Sequence, residues 1–324
     1  MKAVQLTGLD GFDSLKVVEV DMPKPQAHEL LIKVEAAGIN LAELEMTKGK
    51  YPARKKLSFV MGFEAAGTIV ETGAASNGIK VGDRITAIVS GGGYAEYAVA
   101  DAAMGIPIPD GVSFAEATTI PIHGLTAYAL LKFAAKPQAG ETLLVQAAAG
   151  GVGLYLLQLA KLLGVRKVIA LVGSKLKIEL VRELGADVAV DYSQEGWIEQ
   201  VANATDGVGA DVVLEAAAGD VGEASFQLVV PFGRVVLFGA RNIHEGFAPE
   251  RIQQLIYKNQ SVTGFNLPSM HPEQLAECVP KLLDLITQRQ LKLFASHTFP
   301  LDQVRAAFEA LASRQTTGKV VLIP

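Results

Sequence analysis

A single cysteine, Cys278, stands in this chain of 324 residues, so no intramolecular disulfide can form and no cysteine-rich metal site can be built. That scarcity predicts a reducing, cytoplasmic setting. Charge is scarce too. Only 19% of the residues are charged and the formal net charge is −5, which gives no electrostatic attraction to nucleic acid or to an anionic membrane. Internal repeats and low-complexity linkers are lacking. One long uncharged run, Thr142 to Ala160, reaches the length needed to span a bilayer. Its first part is β-type and Gly150-Gly151-Val152-Gly153 sits at its centre, which predicts a buried strand, a tight turn and a buried helix, and no membrane span. Met1-Lys2-Ala3-Val4 opens directly into strand-like alternation, which predicts no signal or transit peptide.

What the chain does have is apolar bulk and glycine. Half of the residues are hydrophobic, mean hydropathy is +0.29, and 32 are glycine, which suits an interior-rich α/β enzyme. The pattern changes twice along the chain. Up to about residue 115 it reads as short strands with glycine turns, such as Leu30–Val34, Ala66–Val70, Gly82–Ile85 and Tyr94–Val99, which predicts a mainly β, barrel-like domain. From about 118 to 258, strands at 142–147, 166–171, 187–190, 210–215 and 234–238 alternate with helical stretches such as Leu154–Leu163 and Leu176–Leu184. That alternation predicts a doubly wound parallel sheet. The tail carries two amphipathic helices, Glu273–Gln288 and Leu301–Ala312, and a closing strand, Lys319–Ile323, with nothing nearby to pair with. The tail is therefore expected to return to the first domain, giving 1–117 with 259–324 as one domain and 118–258 as the other. A cleft between domains is the default ligand site.

After the strand Thr142–Gln146 comes Ala147-Ala148-Ala149-Gly150-Gly151-Val152-Gly153, then a helix. Set against G-x-G-x-x-G, Ala148 replaces the first glycine while Gly150 and Gly153 hold the other two. Gly150 would let backbone N–H groups approach a pyrophosphate at the helix N-terminus, and Gly153 would let the helix pack on its strand. The same glycines could serve packing alone, but their place at the first strand of a βαβ series favours a dinucleotide. The next strand ends Gly173-Ser174-Lys175-Leu176-Lys177, without the carboxylate that usually clamps the ribose hydroxyls of NAD. A serine and lysines there would attract a 2′-phosphate. Lysine is otherwise unfavourable at a helix start, so NADPH is expected.

These residues carry a resemblance that runs almost end to end. Gly38-Ile39-Asn40, Gly49-Lys50-Tyr51-Pro52, Gly62-Phe63-Glu64-Ala65-Ala66-Gly67, Gly124-Leu125-Thr126-Ala127-Tyr128, the glycine turn, Leu184-Gly185-Ala186-Asp187 and the closing Gly318-Lys319-Val320-Val321-Leu322 together resemble the medium-chain dehydrogenase/reductase superfamily, specifically its zinc-free quinone oxidoreductase (ζ-crystallin-like) branch. The resemblance implies a Rossmann domain joined to a GroES-like barrel domain. It implies an NADPH-dependent oxidoreductase that reduces a quinone, or alternatively an enone or enoyl thioester; a third reading is a non-catalytic NADPH-binding protein. A homodimer through a sheet edge near Val235-Val236-Leu237 is also implied. Where the alcohol-dehydrogenase branch has zinc-ligand types, this chain has Asn40 and Phe63, and its five histidines show no ligand spacing, so no metal is expected. Each histidine, His123 included, is expected at the surface or in packing.

By the same resemblance, Asn40 lies beside the nicotinamide, or alternatively caps a turn, and Tyr51 lines the substrate pocket, as a hydroxyl donor or as a packed ring. Thr126 is placed near the nicotinamide or at a helix N-cap. Ala149, Gly150, Gly151, Val152 and Gly153 would bind the pyrophosphate. Gly173, Ser174, Lys177 and Tyr192 would bind the 2′-phosphate and adenine. Phe238, Gly239, Ala240 and Arg241 would pass the nicotinamide half, with Phe265, Asn266 and Arg314 as further cofactor contacts. Two departures stand out: Glu43 where the branch usually has Asp, and a less polar Glu215–Gly219 segment.

Overall fold

The computed structural model describes residues 1–51, 57–243 and 249–324. It separates into two compact units, Met1–Gly124 with Val279–Pro324, and Leu125–Cys278.

In chain order the first unit contains β1 (Lys2–Leu6), β2 (Leu15–Glu19), β3 (Glu29–Ile39), α1 (Leu41–Thr47), β4 (Phe59–Val60), β5 (Glu64–Thr72), β6 (Arg84–Ile88), β7 (Tyr97–Asp101), β8 (Gly105–Pro107) and α2 (Phe114–Ala117). A π-helical turn, Ile120–Gly124, leads into α3 (Leu125–Ala129) of the second unit. That unit continues through β9 (Thr142–Val145), α4 (Gly151–Leu162), β10 (Lys167–Val172), α5 (Ile178–Glu183), β11 (Val188–Asp191), α6 (Trp197–Ala204), β12 (Ala210–Glu215), α7 (Gly219–Ser225), β13 (Val229–Leu237), α8 (Pro249–Lys258) and β14 (Ser261–Gly264). The helix α9 (Pro272–Thr287) carries the chain back to the first unit, which it completes with β15 (His297–Pro300), α10 (Val304–Ala312) and β16 (Val320–Ile323).

The second unit is a parallel sheet in the order β11-β10-β9-β12-β13-β14. Order reverses beside β9, which puts the turn after β9 at the switch point where such sheets bind ligands. Strand β9 is buried at every position and α4 is buried along most of its length, so the uncharged run Thr142–Ala160 is a central strand, a turn and a packed helix. Among the described residues no helix is long and apolar enough to cross a membrane. One boundary and one sheet edge differ from the sequence expectation. Strand β14 pairs in parallel with β13, so the segment after 259 first finishes the α/β sheet before the chain leaves it. For the same reason Val235-Val236-Leu237 is not an edge: β13 pairs with β12 on one side and β14 on the other, and β14 is the edge strand.

In the first unit β3 is the organising strand. It pairs with β5 and β7, and with the closing strand β16, which does return from the far end of the chain. Val4, Leu30, Ile32, Ile69, Ile85, Tyr94 and Phe308 fill the interior, and each full burial of such a side chain contributes about 1.5–3 kcal/mol. The antiparallel register brings two distant polar residues together. Val320 lies opposite Ile39 and Val321 opposite Gly38, so the next step of the ladder sets Lys319 beside Asn40.

Candidate active site

In the second unit the candidate groups are mainly backbone. Helix α4 begins at Gly150 with no side-chain cap, which leaves the N–H groups of its first turn available to an anion at the positive end of the helix dipole. A Cβ on Gly153 would come within 2.5 Å of both the Ala147 and Ala148 carbonyl oxygens, so only glycine lets the helix start this close to its strand. Ala147 itself holds φ +47, the left-handed conformation that a first glycine would accept more easily. Beside this turn, Gln146 and Glu215 hold the segment after β12. Gln146 Oε1 accepts from the Ala216 and Ala217 amides at 3.2 and 3.0 Å, and Glu215 Oε1 accepts from Ala217 and Ala218 at 3.0 and 2.7 Å. The segment read from sequence as less polar is thus anchored by two buried side chains from the strand ends.

At the end of β10 the Tyr192 hydroxyl lies over Gly173, where a Cβ would come within 2.7 Å of it. The structure therefore brings Gly173 and Tyr192 together. Ser174 Oγ accepts from the Leu176 amide at 3.3 Å and opens the turn that carries Lys175 and Lys177. Phe238 and Ala240 are buried just past β13, and Gly239 turns there with φ +86. Asn242 Nδ2 donates to the Glu215 and Phe238 carbonyls, tying this turn to the neighbouring one. Arg241 lies in a short helical turn directly before 244–248, which are outside the described residues. Phe265 follows β14 and its amide donates to the Leu237 carbonyl, while Asn266 is exposed. Thr126 is not a helix N-cap: the π-helical turn before it makes its position helix interior.

In the first unit the candidate groups are buried side chains. Lys319 is fully buried, and its Nζ meets the Glu64 carboxylate, Asn40 Oδ1 at 2.7 Å and His123 Nε2 at 3.4 Å. Gly38 makes this possible, because a Cβ there would overlap both the Lys319 stem and the Glu64 carboxyl. Asn40 is the hub. Its Nδ2 donates to Glu43 Oε2 at 3.1 Å and to Glu64 Oε1 at 3.0 Å, so both amide hydrogens are committed to carboxylates. The amide orientation is set by its partners, since the reverse would face an oxygen to two carboxylates and a nitrogen to Lys319. Glu43 Oε2 also accepts the Asn40 backbone N–H at 2.7 Å, an acceptor three residues into the helix reaching back to its start.

Burial governs the protonation of this set. It raises Glu43 to about 7, against the nearby Tyr94 hydroxyl and the Asn40 hydrogen bond that lower it. Burial likewise raises Glu64 and lowers Lys319, each opposed by the other's charge. Tyr94 is held well above the usual phenol range by burial and by the adjacent Glu43. His123 is held well below the usual imidazole range, first by burial and then by Lys319, so the ring is neutral. Its Nδ1 is covered and has no hydrogen-bond partner among the described residues, an arrangement that costs about 1–3 kcal/mol for a buried donor.

Sequence reasoning reaches Asn40 but not its partners. It assigns no site role to Glu43, Glu64, Tyr94 or Lys319, and it leaves His123 with the surface or packing histidines. No local sequence signal marks them: Gly318 precedes Lys319, but Gly38 meets the Lys319 stem only through the β3–β16 register. Tyr51 is half-buried with its ring against the β-unit core; Pro52, the next residue, lies outside the described residues. Arg314 is exposed after α10 with φ +58, apart from the buried cluster. Among the described residues no group of three or more His, Cys, Asp or Glu side chains could hold a metal ion.

Two family models match the chain, the alcohol dehydrogenase GroES-like domain over residues 26–110 and the zinc-binding dehydrogenase domain over residues 151–288. With the fold, they define the class: a medium-chain dehydrogenase/reductase. The quinone oxidoreductase of Pseudomonas aeruginosa is 32% identical over 100% of this chain and 99% of its own. The Escherichia coli quinone oxidoreductase, solved in complex with NADPH, superposes with a TM-score of 0.92 at 30% identity and full coverage of both chains. The quinone oxidoreductase of Thermus thermophilus, also solved with NADPH, gives 0.85 at 34% identity, again covering both chains fully. The chain belongs to the zinc-free quinone oxidoreductase branch of that superfamily.

Proposed function

We propose that this protein is an NADPH-dependent quinone oxidoreductase that works without a metal. The observation that carries the reading is the uncapped glycine turn before α4, followed at the end of β10 by Gly173, Ser174 and Lys177 in place of an acidic ribose clamp. Three relatives of full length bear the same name, and two of them were solved with NADPH. The residues fit the cofactor: the first-turn amides of α4 suit the pyrophosphate, and Ser174 and Lys177 with Tyr192 suit the 2′-phosphate.

Bound NADPH supplies the hydride. The protein's part is to bind, to orient and to exclude water, since an electron-poor conjugated acceptor needs no Lewis acid to take a hydride. The donor set in the first unit agrees. Phe63 offers no ligand atom, and the Asn40 carboxamide is fully engaged with Lys319, Glu43 and Glu64. Asn40 is a positioning residue in this reading, since it has no amide hydrogen left for an oxyanion. Tyr51 remains a pocket residue, as donor or as wall. The reading also places the enzyme in the cytoplasm, supported by the free, buried Cys278, and as a homodimer, supported by the unpaired edge of β14 and the exposed Ile256 and Tyr257 of α8.

The test is NADPH oxidation with a panel of quinones and a panel of enones. Turnover with quinones and little with enones is expected; the reverse would transfer the assignment to an enone reductase, and inactivity on both would remove it. Tyr51→Phe run in the same assay should lower kcat by up to about 100-fold if the hydroxyl steadies the transition state, with NADPH affinity intact. An unchanged kcat makes the ring a wall of the pocket.

A further inference from the structure

Two donors of the buried cluster have no hydrogen-bond partner among the described residues, the Tyr94 hydroxyl and His123, and only His123 is not fully buried. Lys319 has three partners for its amine: Glu64, Asn40 Oδ1 and His123 Nε2. As an ammonium it donates to all three. If the proton of the Lys319–Glu64 pair sits on the carboxyl, the amine lone pair faces Glu64 and two N–H groups remain, for Asn40 and for His123. In either case Lys319 donates to His123 Nε2, so that nitrogen must be the acceptor. The single proton of a neutral imidazole is then on Nδ1. A flipped ring would present a carbon to Lys319, so the same contact fixes the orientation.

The resulting Nδ1–H is a donor with no acceptor among the described residues. Both Asn40 amide hydrogens go to carboxylates. The Tyr94 hydroxyl has no hydrogen-bond partner among the described residues either, but it is fully buried beside Glu43. His123 as a whole residue is half-buried, although Nδ1 itself is covered, and it sits in a π-helical turn, a distortion that helices often carry at functional sites.

Building on the quinone reductase reading, we propose that the Nδ1–H of His123, its tautomer fixed by Lys319, donates a hydrogen bond to the acceptor's reducible oxygen. His123 is then a catalytic residue and Lys319 its positioning residue. In the reaction two electrons and one hydrogen leave the dihydronicotinamide as hydride, which bonds to the quinone. Negative charge collects on the acceptor oxygen, and the imidazole N–H stabilises it there. One proton from water completes the hydroquinone, leaving oxidised NADP, so the ring stays neutral throughout. A neutral imidazole suits this task, because it donates without becoming an anion-trapping cation. Burial and the Lys319 charge both keep it neutral.

The tautomer can be read without turnover. Protein with 15N-labelled histidine rings, loaded with oxidised NADP, should show His123 neutral and protonated at Nδ1 across the pH range in which exposed histidines titrate, with the signal assigned by its loss in His123→Phe. Adding 1,4-naphthoquinone to this non-reacting complex should shift the Nδ1 proton. An Nε2–H tautomer, or an Nδ1–H signal that saturating quinone leaves in place, overturns the proposal.

Kinetics gives the second arm. His123→Phe should lower kcat with quinone by on the order of 10- to 100-fold while NADPH affinity stays the same. His123→Asn, which can place an N–H near the Nδ1 position, should recover part of the rate, and His123→Gln, which reaches toward the Nε2 position, should not. A packing role would rank the aromatic Phe above Asn, and that order would overturn the proposal. If the unmutated enzyme reduces no quinone, the functional reading falls and takes this substrate with it. Quinone turnover that survives His123→Phe removes this inference alone.

Discussion

In the β unit Glu43, Glu64, Tyr94, His123 and Lys319 pack around one asparagine, and burial shifts all five from their ordinary protonation ranges. In the α/β unit the turn after β9 is made of alanine and glycine, and its functional groups are amides that never titrate. The cost of each design differs. Buried charges must be neutralised by well-placed partners and respond strongly to the loss of one. A backbone cradle carries no desolvated charge, but it tolerates no added atom, as the carbonyls around Gly153 show. On the proposals made above, the directed proton donor belongs to the first unit and phosphate recognition to the second.

The hardest blow to this comparison is Lys319→Met. It leaves Glu64 as a buried carboxyl without its cation and removes the donor from Asn40 and His123. A loss of about 3–5 kcal/mol in chemical denaturation is expected, and adding Glu64→Gln should recover much of it by removing the stranded charge. If the double variant is no more stable than the single, the pair is not what holds the cluster. NADPH affinity of the folded variant should be nearly unchanged, because the groups proposed to hold the dinucleotide lie in the other unit.

The ease with which the two units can be read from sequence follows the same division. A backbone site announces itself locally. Ala148-Ala149-Gly150-Gly151-Val152-Gly153 lies within one turn of a strand–helix junction, and the absent carboxylate at Ser174 is visible by counting from it. The parallel sheet is legible for the same reason, since each strand and helix declares its own period. The side-chain cluster joins residues 279 positions apart, and only the β3–β16 register sets Lys319 beside Asn40. No local pattern distinguishes Lys319 from a surface lysine, and the neutral state of His123 depends on a burial that sequence does not display. Strand β14 escapes a sequence reading because Ser261–Gly264 is short and mostly exposed, so it lacks the apolar run that marks the other strands.

A second prediction sharpens the contrast through pH. Glu43 titrates at about 7 in the folded protein against 4.5 for the free group. Between those values the native state binds more protons than the unfolded one, so stability falls as pH rises through the window. The span corresponds to at most about 3–4 kcal/mol, complete below the lower value and gone above the upper. Glu43→Gln keeps an acceptor for the Asn40 amide but cannot ionise, so denaturation midpoints at about pH 5 and about pH 8 should converge in that variant. An unchanged slope would assign the pH dependence to another group. Nothing comparable is expected from the turn before α4.

The smallest expected effect tests the α/β unit on its own terms. Lys177 is half-buried in the turn after β10, with Ser174 at its start and the Tyr192 hydroxyl over Gly173 nearby. If that turn receives the 2′-phosphate, Lys177→Ala should weaken NADPH by on the order of 1–2 kcal/mol and leave NADH nearly untouched, because only NADPH carries the extra dianion. Solvent access keeps the figure modest, and raising the salt concentration should shrink the difference further. Lys175 is the internal control. It is two residues away on the same turn and exposed, so Lys175→Ala should cost less than Lys177→Ala. Fluorescence titration of both variants with both dinucleotides decides it. Equal affinity of the unmutated protein for NADPH and NADH would mean that Ser174 and Lys177 only solvate a helix start, and the backbone cradle alone would then set a cofactor preference it has no means to express.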